Sequence, residues 1–536
     1  MRISTQQYFE TSSAKYQSNY SSVVKAQDQA SSGVRVQTAA DDPVAAARLL
    51  MLQQQKDMLS QFNGNIDTLK NSLVTEDSVL DNINTALQKA SELALKAGNV
   101  GISDADRKSI AAEVGAIEDQ VLGLLNSKDA GGNYLFSGSK TDTPPYTRNN
   151  NGTYSYQGDD IPLSLKIAEN ISVSMGDTAK SMLESSANTG RTQTAPILVP
   201  PAVDDGKVTI SAGLIAAETS YDSSFADGQP YKLTFVSSTQ YTVSDNTGKD
   251  ITSEIPGNGT FDATKEGAST INLRGVKFDI GLNLGKDALG KDVLPGAPAD
   301  AVVKDREFSL SIKPDTFSVS RTPSNPTTAQ ISGGTVSDSA AYASTFPNAG
   351  MVIKFGAAGD YNVYAQPYTS DSKSIANGTL AAGATTLSAA GVTFDVTTTP
   401  PPGDGDQFVI GATSNKNENV LDTLSHLRQI LETPSDGKPA AQKELKDVVA
   451  RSIGNLTNAK SQIDQVRGAI GARLNGMDIQ SQENTSLSLA NATTMNALGN
   501  VDFADAAINL SLQQTMLQAS QLAFVKISQL SLFNKM

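Results

Sequence analysis

Apolar residues recur at every third or fourth position from Leu59 through Phe62, Ile66, Leu69, Leu73, Leu80, Ile83, Leu87 and Ala90 to Ala94, with Glu76 as the one polar interruption. A stripe held in step over so many turns is an a/d seam, which buries itself against partner helices. The helix it predicts spans about 43–97. Asp42 can cap its start, and Pro43 suits the first helical position, where a missing N–H costs nothing. Gly98-Asn99 supplies the stop. Ser103-x-x-Asp106 resembles a capping box and opens a second helix carrying Ile110, Val114, Ile117, Val121 and Leu124.

The C-terminal end mirrors this pattern. Val449, Leu456, Ile463, Ile470 and Met477 recur at seven-residue spacing, and Ile453 and Leu474 broaden the stripe. A Pro- and Gly-containing segment at 433–439 separates this helix from a shorter one near 419–432. A last helix, about 502–534, carries Leu512, Met516, Ala519, Ala523, Ile527 and Leu530. The first thirty residues hold a weaker stripe of Phe9, Tyr16, Tyr20 and Val23. The two outermost helices are polar elsewhere and marginal alone. Both are expected to gain order by burial against each other and against further copies of the chain, with Phe9, Tyr16 and Tyr20 opposite the C-terminal stripe. Arg35, Asp42 and Pro43 are expected to set the turn between the first helix and the long one.

Residues 140–414 read differently, as short strands and turns rich in Thr, Val, Gly, Pro and Tyr. Tyr231–Val243 looks like a hairpin. Gly275-Val276-Lys277-Phe278-Asp279-Ile280 matches Gly391-Val392-Thr393-Phe394-Asp395-Val396, and each is followed by an acidic turn and a strand containing Phe308 or Phe408. Each is preceded by a Tyr-x-Val pair, Tyr241/Val243 or Tyr361/Val363. The match predicts two related β subdomains with a seam near 320–345.

The expected fold class is α+β: a discontinuous, coiled-coil-like α-helical bundle from both chain ends, with an inserted β-rich middle of two subdomains. The expected parts are an assembly helix and linker over 1–42, the first bundle half with a β-hairpin over 43–175, β subdomains over 176–330 and 331–414, the second bundle half over 415–500, and a terminal assembly helix over 501–536.

Composition narrows the function. The 536 residues hold 56 Asp+Glu against 42 Lys+Arg, a net charge of -14, which excludes the basic footprint of a nucleic-acid binder. No Cys is present and His426 is the single His, so neither a disulfide, a Cys/His zinc site nor a Cys–His pair can form. No apolar run reaches the roughly 18–20 residues of a membrane span. The N-terminus lacks the apolar core of a cleaved signal peptide, which by itself points to the cytoplasm.

Two motifs change that placement. Ser31-Ser32-Gly33-Val34-Arg35-Val36 and Ala40-Asp41-Asp42-Pro43-Val44-Ala45-Ala46-Ala47 closely resemble the N-terminal signature of the flagellin superfamily. Asp-Asp-Pro-Val-Ala-Ala-Ala, the start Met1-Arg2-Ile3-Ser4-Thr5, and Gly132-Asn133-Tyr134-Leu135-Phe136-Ser137-Gly138 are closer to its hook–filament junction proteins than to its flagellins. Gln513-Gln514-Thr515-Met516-Leu517-Gln518-Ala519-Ser520 is also similar to the superfamily. The resemblance covers about 1–175 and 405–536. It implies export through the flagellar type III channel without a cleaved signal, an extracellular place in the flagellum, and a dedicated export chaperone. The partners it implies are further copies of the chain, another hook-associated protein on the hook side and flagellin on the filament side.

Catalysis is not expected, nor a metal or cofactor. A Ser–His–Asp triad would have to use His426, which sits on a short amphipathic helix. Asp41-Asp42 reads as a helix cap, and Asp404-Gly405-Asp406 as a turn lacking the further ligands of a calcium loop. Asn-Gly-Thr occurs at Asn151, Asn258 and Asn377, an acceptor triplet that Asn/Thr-rich chains also produce by chance.

Overall fold

The computed structural model describes residues 2–533 apart from 100, 151, 199–203, 263, 265–268, 286–294, 348 and 398. Its six long helices are α1 (Arg2–Ser32), α2 (Pro43–Ala97), α3 (Asp104–Leu125), α4 (Val420–Glu432), α5 (Pro439–Gly499) and α6 (Phe503–Phe533). The chain divides into two compact units. One gathers Met1–Thr75, Leu163–Gly176 and Ala469–Met536; the other gathers Glu76–Pro162 and Asp177–Gly468. Helices α2 and α5 contribute to both.

The second unit holds the C-terminal part of α2, α3, α4, the N-terminal part of α5 and all of the β-rich middle. Leu80, Ile83, Leu87, Ala90 and Ala94 of α2 are buried, as are Val449, Leu456 and Ile463 of α5. Arg467 of α5 crosses to Asp77 and Asp81 of α2, each at 2.8 Å. The polar interruption in the seam has a job: the buried Glu76 carboxylate accepts the Asp177 N–H at 3.0 Å. Ser103 caps α3 by accepting the Asp106 N–H. Arg107, 4 % exposed, joins Asp104 to Asp436 and so ties α3 to the turn before α5. His426 pairs through Nδ1 with Glu418 at 2.8 Å, while Ser425 Oγ donates to the Gly152 carbonyl. These neighbours in sequence therefore serve different packing partners.

The middle contains two β modules of one topology. The first comprises β5 (Thr192–Ile197), β6 (Val208–Ile210), β7 (Leu214–Ile215), β8 (Tyr231–Phe235), β9 (Tyr241–Ser244), β10 (Thr270–Leu273), β11 (Val276–Leu282) and β12 (Glu307–Ile312). The hairpins β1 (Tyr146–Arg148)–β2 (Tyr154–Tyr156) and β3 (Ser164–Ala168)–β4 (Ile171–Ser174) precede it. The second module comprises β13 (Thr316–Arg321), β14 (Ile331–Val336), β15 (Met351–Phe355), β16 (Asp360–Ala365), β17 (Ser374–Thr379), β18 (Thr386–Ala389), β19 (Val392–Val396) and β20 (Gln407–Thr413).

One sheet runs β5-β12-β8-β9 in the first copy and β13-β20-β15-β16-β17 in the second; the other runs β10-β11-β6 and β18-β19-β14. The likeness extends to details. The turns Arg274-Gly275 and Ala390-Gly391 both have positive φ. The Gly275 carbonyl accepts the Ala216 and Ala217 amides, and the Gly391 carbonyl accepts those of Ser337 and Asp338. Phe235 meets Phe308 edge-on at 6.0 Å, and Phe355 meets Phe408 in the same way at 6.0 Å. The repeated Gly-Val-x-Phe-Asp stretch thus occupies the same strand in each copy. The chain passes from one copy to the other at 313–315, ahead of the 320–345 seam, because β13 pairs with β20 and not with the first module. The copies differ at one edge. In the first, an irregular strap over 250–261 lies along β9; in the second, β17 takes that place.

Both segments connecting the modules to the helices are pinned on α5. Thr189 N–H donates to Asn455 Oδ1 at 2.8 Å, and Asn455 Nδ2 donates to Glu418 at 2.9 Å. The approach is close: a Cβ on Gly454 would lie 2.6 Å from Thr189 Oγ1.

The first unit contains α1, α6, the opposite ends of α2 and α5, and the β3–β4 hairpin. Ile66, Leu69 and Leu73 of α2 and Ile470 and Met477 of α5 are buried. One heptad further on, the position is Asn484, 1 % exposed. Its Nδ2 donates to Asn63 Oδ1 at 3.2 Å and to the Ile167 carbonyl of the hairpin at 3.1 Å.

Candidate assembly interface

Two sequence-distant turns meet where α1 hands over to α2 and α5 to α6. Gly33, at φ 70, ends α1, and its carbonyl accepts the Val501 N–H at 2.9 Å. The Arg35 N–H donates to the Gly499 carbonyl at 2.6 Å, closing a small antiparallel bridge between Val34 and Asn500. Arg35 then uses its side chain twice. Nη2 donates to the Leu498 carbonyl at 2.7 Å, and Nη1 reaches Asp42 at 3.3 Å. An orphan carbonyl of the last turn of α5 is thereby satisfied by a cation, which also suits the helix dipole.

Asp42 accepts the Ala45 N–H at 3.0 Å, and Pro43 is the first residue of α2. Asp41 accepts from the Gln37 and Thr38 amides and pairs with Lys25 of α1 at 2.5 Å. These contacts hold both carboxyls below their ordinary range: Asp41 first through Lys25, and Asp42 first through the Ala45 amide. Arg35, Asp42 and Pro43 thus lie together at this corner.

Helices α1 and α6 lie against each other. Val23 and Ala26 of α1 are buried, and Tyr16 stacks on Phe524 with ring centroids 6.1 Å apart. The α6 residues turned inward are Ala506, Leu510, Gln513, Leu517, Ser520 and Phe524, each half-buried. Their 4-3 spacing is a heptad seam. It is not the stripe singled out from the sequence. Leu512 (56 % exposed) and Met516 (46 % exposed) face outward, as do Ala519 and Ala523. Tyr20 is also exposed, while Tyr16, expected opposite α6, stacks on it through Phe524. The side chains of Phe9, Ile527 and Leu530 lie outside the described residues.

Sequence reasoning missed the inner stripe because α6 is apolar on several sides, so periodicity allows two seams. The stacked pair Tyr16 and Phe524 marks the inner seam in the structure. Away from that seam, Ile508, Leu512, Met516, Leu522 and Val525 form an exposed apolar series along one helix. Residues of this size seldom line up exposed on a soluble monomer unless they mark a contact surface.

Comparison with known proteins bears on this arrangement. Residues 3–141 match the family model of the bacterial flagellin N-terminal helical region. Flagellar hook-associated protein 3 of Salmonella typhimurium is 32 % identical over 185 residues, covering 34 % of this chain and 57 % of that protein. Its Escherichia coli counterpart is 35 % identical over 147 residues, covering 27 % and 46 %. A flagellin of Bacillus subtilis is 31 % identical over 129 residues, covering 24 % and 42 %. The chain thus spans about half the length of the relatives it matches. The crystal structure of hook-associated protein 3 from Legionella pneumophila shares the fold, with a TM-score of 0.50 at 18 % identity, covering 84 % of this chain and 98 % of that one.

Proposed function

We propose, from the premise that the chain belongs to the flagellin superfamily, that it is a structural subunit joining the hook of a bacterial flagellum to its filament. The observation that carries this reading is the exposed apolar side of α6 beside the corner built by Arg35, Asp42 and Pro43. In the assembly this side is buried by neighbouring copies through contacts between non-identical surfaces, which build rings and tubes. Tyr20, Leu512, Met516, Ala519 and Ala523 are interface residues in this reading, with Phe9, Ile527 and Leu530 beside them. The protein works outside the cell, reached through the flagellar export channel with the help of an export chaperone. Its neighbours are another hook-associated protein and flagellin. The work is mechanical, and no catalysis is assigned.

A filament subunit is the second reading, favoured by the similarity to a flagellin and by the match of residues 3–141 to the flagellin N-terminal helical region. A null mutant separates the two. Loss of a junction subunit leaves hooks that shed flagellin into the medium, whereas loss of the filament subunit leaves no flagellin to shed.

A further inference from the structure

Asn-Gly occurs five times in the chain, at Asn63, Asn151, Asn258, Asn377 and Asn475. The structure treats one of them differently. Asn63 and Asn475 lie inside α2 and α5, where the following glycine amide is part of a helical turn. Asn377 lies in β17, and Gly378 stands opposite Tyr361. That is a hydrogen-bonded position of the ladder, since Leu380, two residues on, donates to Gly359 at 2.8 Å. Asn151 is outside the described residues, but the Gly152 N–H donates to the Asn149 carbonyl at 3.0 Å.

Asn258 is exposed, at φ 47, on the tip of the strap along β9, between two positive-φ glycines. Among the described residues its side chain has no hydrogen bond, and the Gly259 N–H has no acceptor. The strap itself is well fixed. The Tyr241 N–H donates to the Gly259 carbonyl at 2.8 Å, Thr260 bridges to Gln240, and Phe261 packs on Phe235 and Tyr241.

We propose that Asn258 is a site of spontaneous main-chain modification by intramolecular deamidation. The Gly259 nitrogen, on losing its proton, attacks Cγ of Asn258. A C–N bond forms, the bond to Nδ2 breaks, and ammonia leaves. The resulting five-membered succinimide is opened by water at either carbonyl, giving aspartate or isoaspartate; water is the only co-reactant. Either product brings a carboxylate to the shallow cavity that Asn258 shares with Asp250. Isoaspartate also lengthens the main chain by one atom next to the carbonyl that holds Tyr241. The strap then fits β9 less well, and the edge it covers opens to other strands.

The test is to age the intact chain at pH 8 and map its peptides with isoaspartyl methyltransferase labelling, beside the same chain in denaturant and an Asn258→Gln variant. In denaturant all five pairs react. In the folded chain, Asn258 is expected to react at least about tenfold faster than Asn63, Asn377 and Asn475, whose following amides must first open locally, and faster than Asn151, whose Gly152 N–H is already bonded. The Tyr241 amide then exchanges hydrogen faster in the aged chain, and does not in aged Asn258→Gln. The proposal is overturned if the folded chain leaves Asn258 intact while the denatured chain modifies it. Equal or faster reaction at any other pair, or loss of Tyr241 protection in the aged variant, overturns it as well.

Discussion

Arg35 does three things with one residue: its amide joins Gly499, and its guanidinium joins both the Leu498 carbonyl and Asp42. Replacing it with Ala leaves a helix-end carbonyl without its donor, a loss of about 1 kcal/mol for a partly exposed group. The expected outcome is faster hydrogen exchange at residues 33–36 and 499–501, with little change in the β modules. Asp41 and Asp42 add a pH dependence. Their folded values lie below the ordinary 3.8, so their stabilisation is in full force above that pH. It is lost as pH falls below 3.8 toward the lowered values. Hydrogen exchange of the corner should therefore quicken in acid, and in Asp42→Asn this acid-induced change should be smaller. A buried example is Asn484, the polar residue at a seam position. Asn484→Ala leaves the Ile167 carbonyl and Asn63 short of a partner and should cost about 1–3 kcal/mol, read as a lower melting point and weaker protection of 164–174.

At the scale of elements, what was legible in the sequence had redundant signals. Helix α2 starts at Pro43 and ends before Gly98 because cap, proline, stripe and stop agree. The heptad of Val449 to Met477 was readable, and the helix runs on to Gly499 with Asn484 rather than an apolar residue at its next seam position. In α6 the residues Leu512, Met516, Ala519 and Ala523 are turned away from α1, since a helix apolar on several sides gives periodicity no single answer. The corner was legible as residue types, while its partner segment, Leu498–Val501, carries no local sequence sign of the pairing. The duplication was legible in Gly-Val-x-Phe-Asp because the turn before it needs a left-handed glycine in both copies. A Cβ on Gly391 would fall 2.3 Å from the Tyr342 amide. Gly391→Ala should therefore destabilise the second module by about 2 kcal/mol or more, measured by thermal unfolding, and Gly275→Ala should do the same to the first.

For the molecule as a whole, the proposed junction role predicts that removing residues 502–536 leaves a folded, soluble monomer that does not assemble. Sedimentation and electron microscopy of hooks supplied with the truncated chain decide it: filament growth on those hooks would refute the role of α6. The β modules impose a different constraint. In each, the first strand pairs with the last: β5 with β12, and β13 with β20. Neither sheet can close until the chain between those strands has been delivered, and such distant pairings pay loop-closure entropy before they gain contacts. The middle is therefore the slow-folding part of a protein whose helices can form locally. A chain so arranged stays threadable for longest in the segment that would be hardest to pull through a narrow channel once folded.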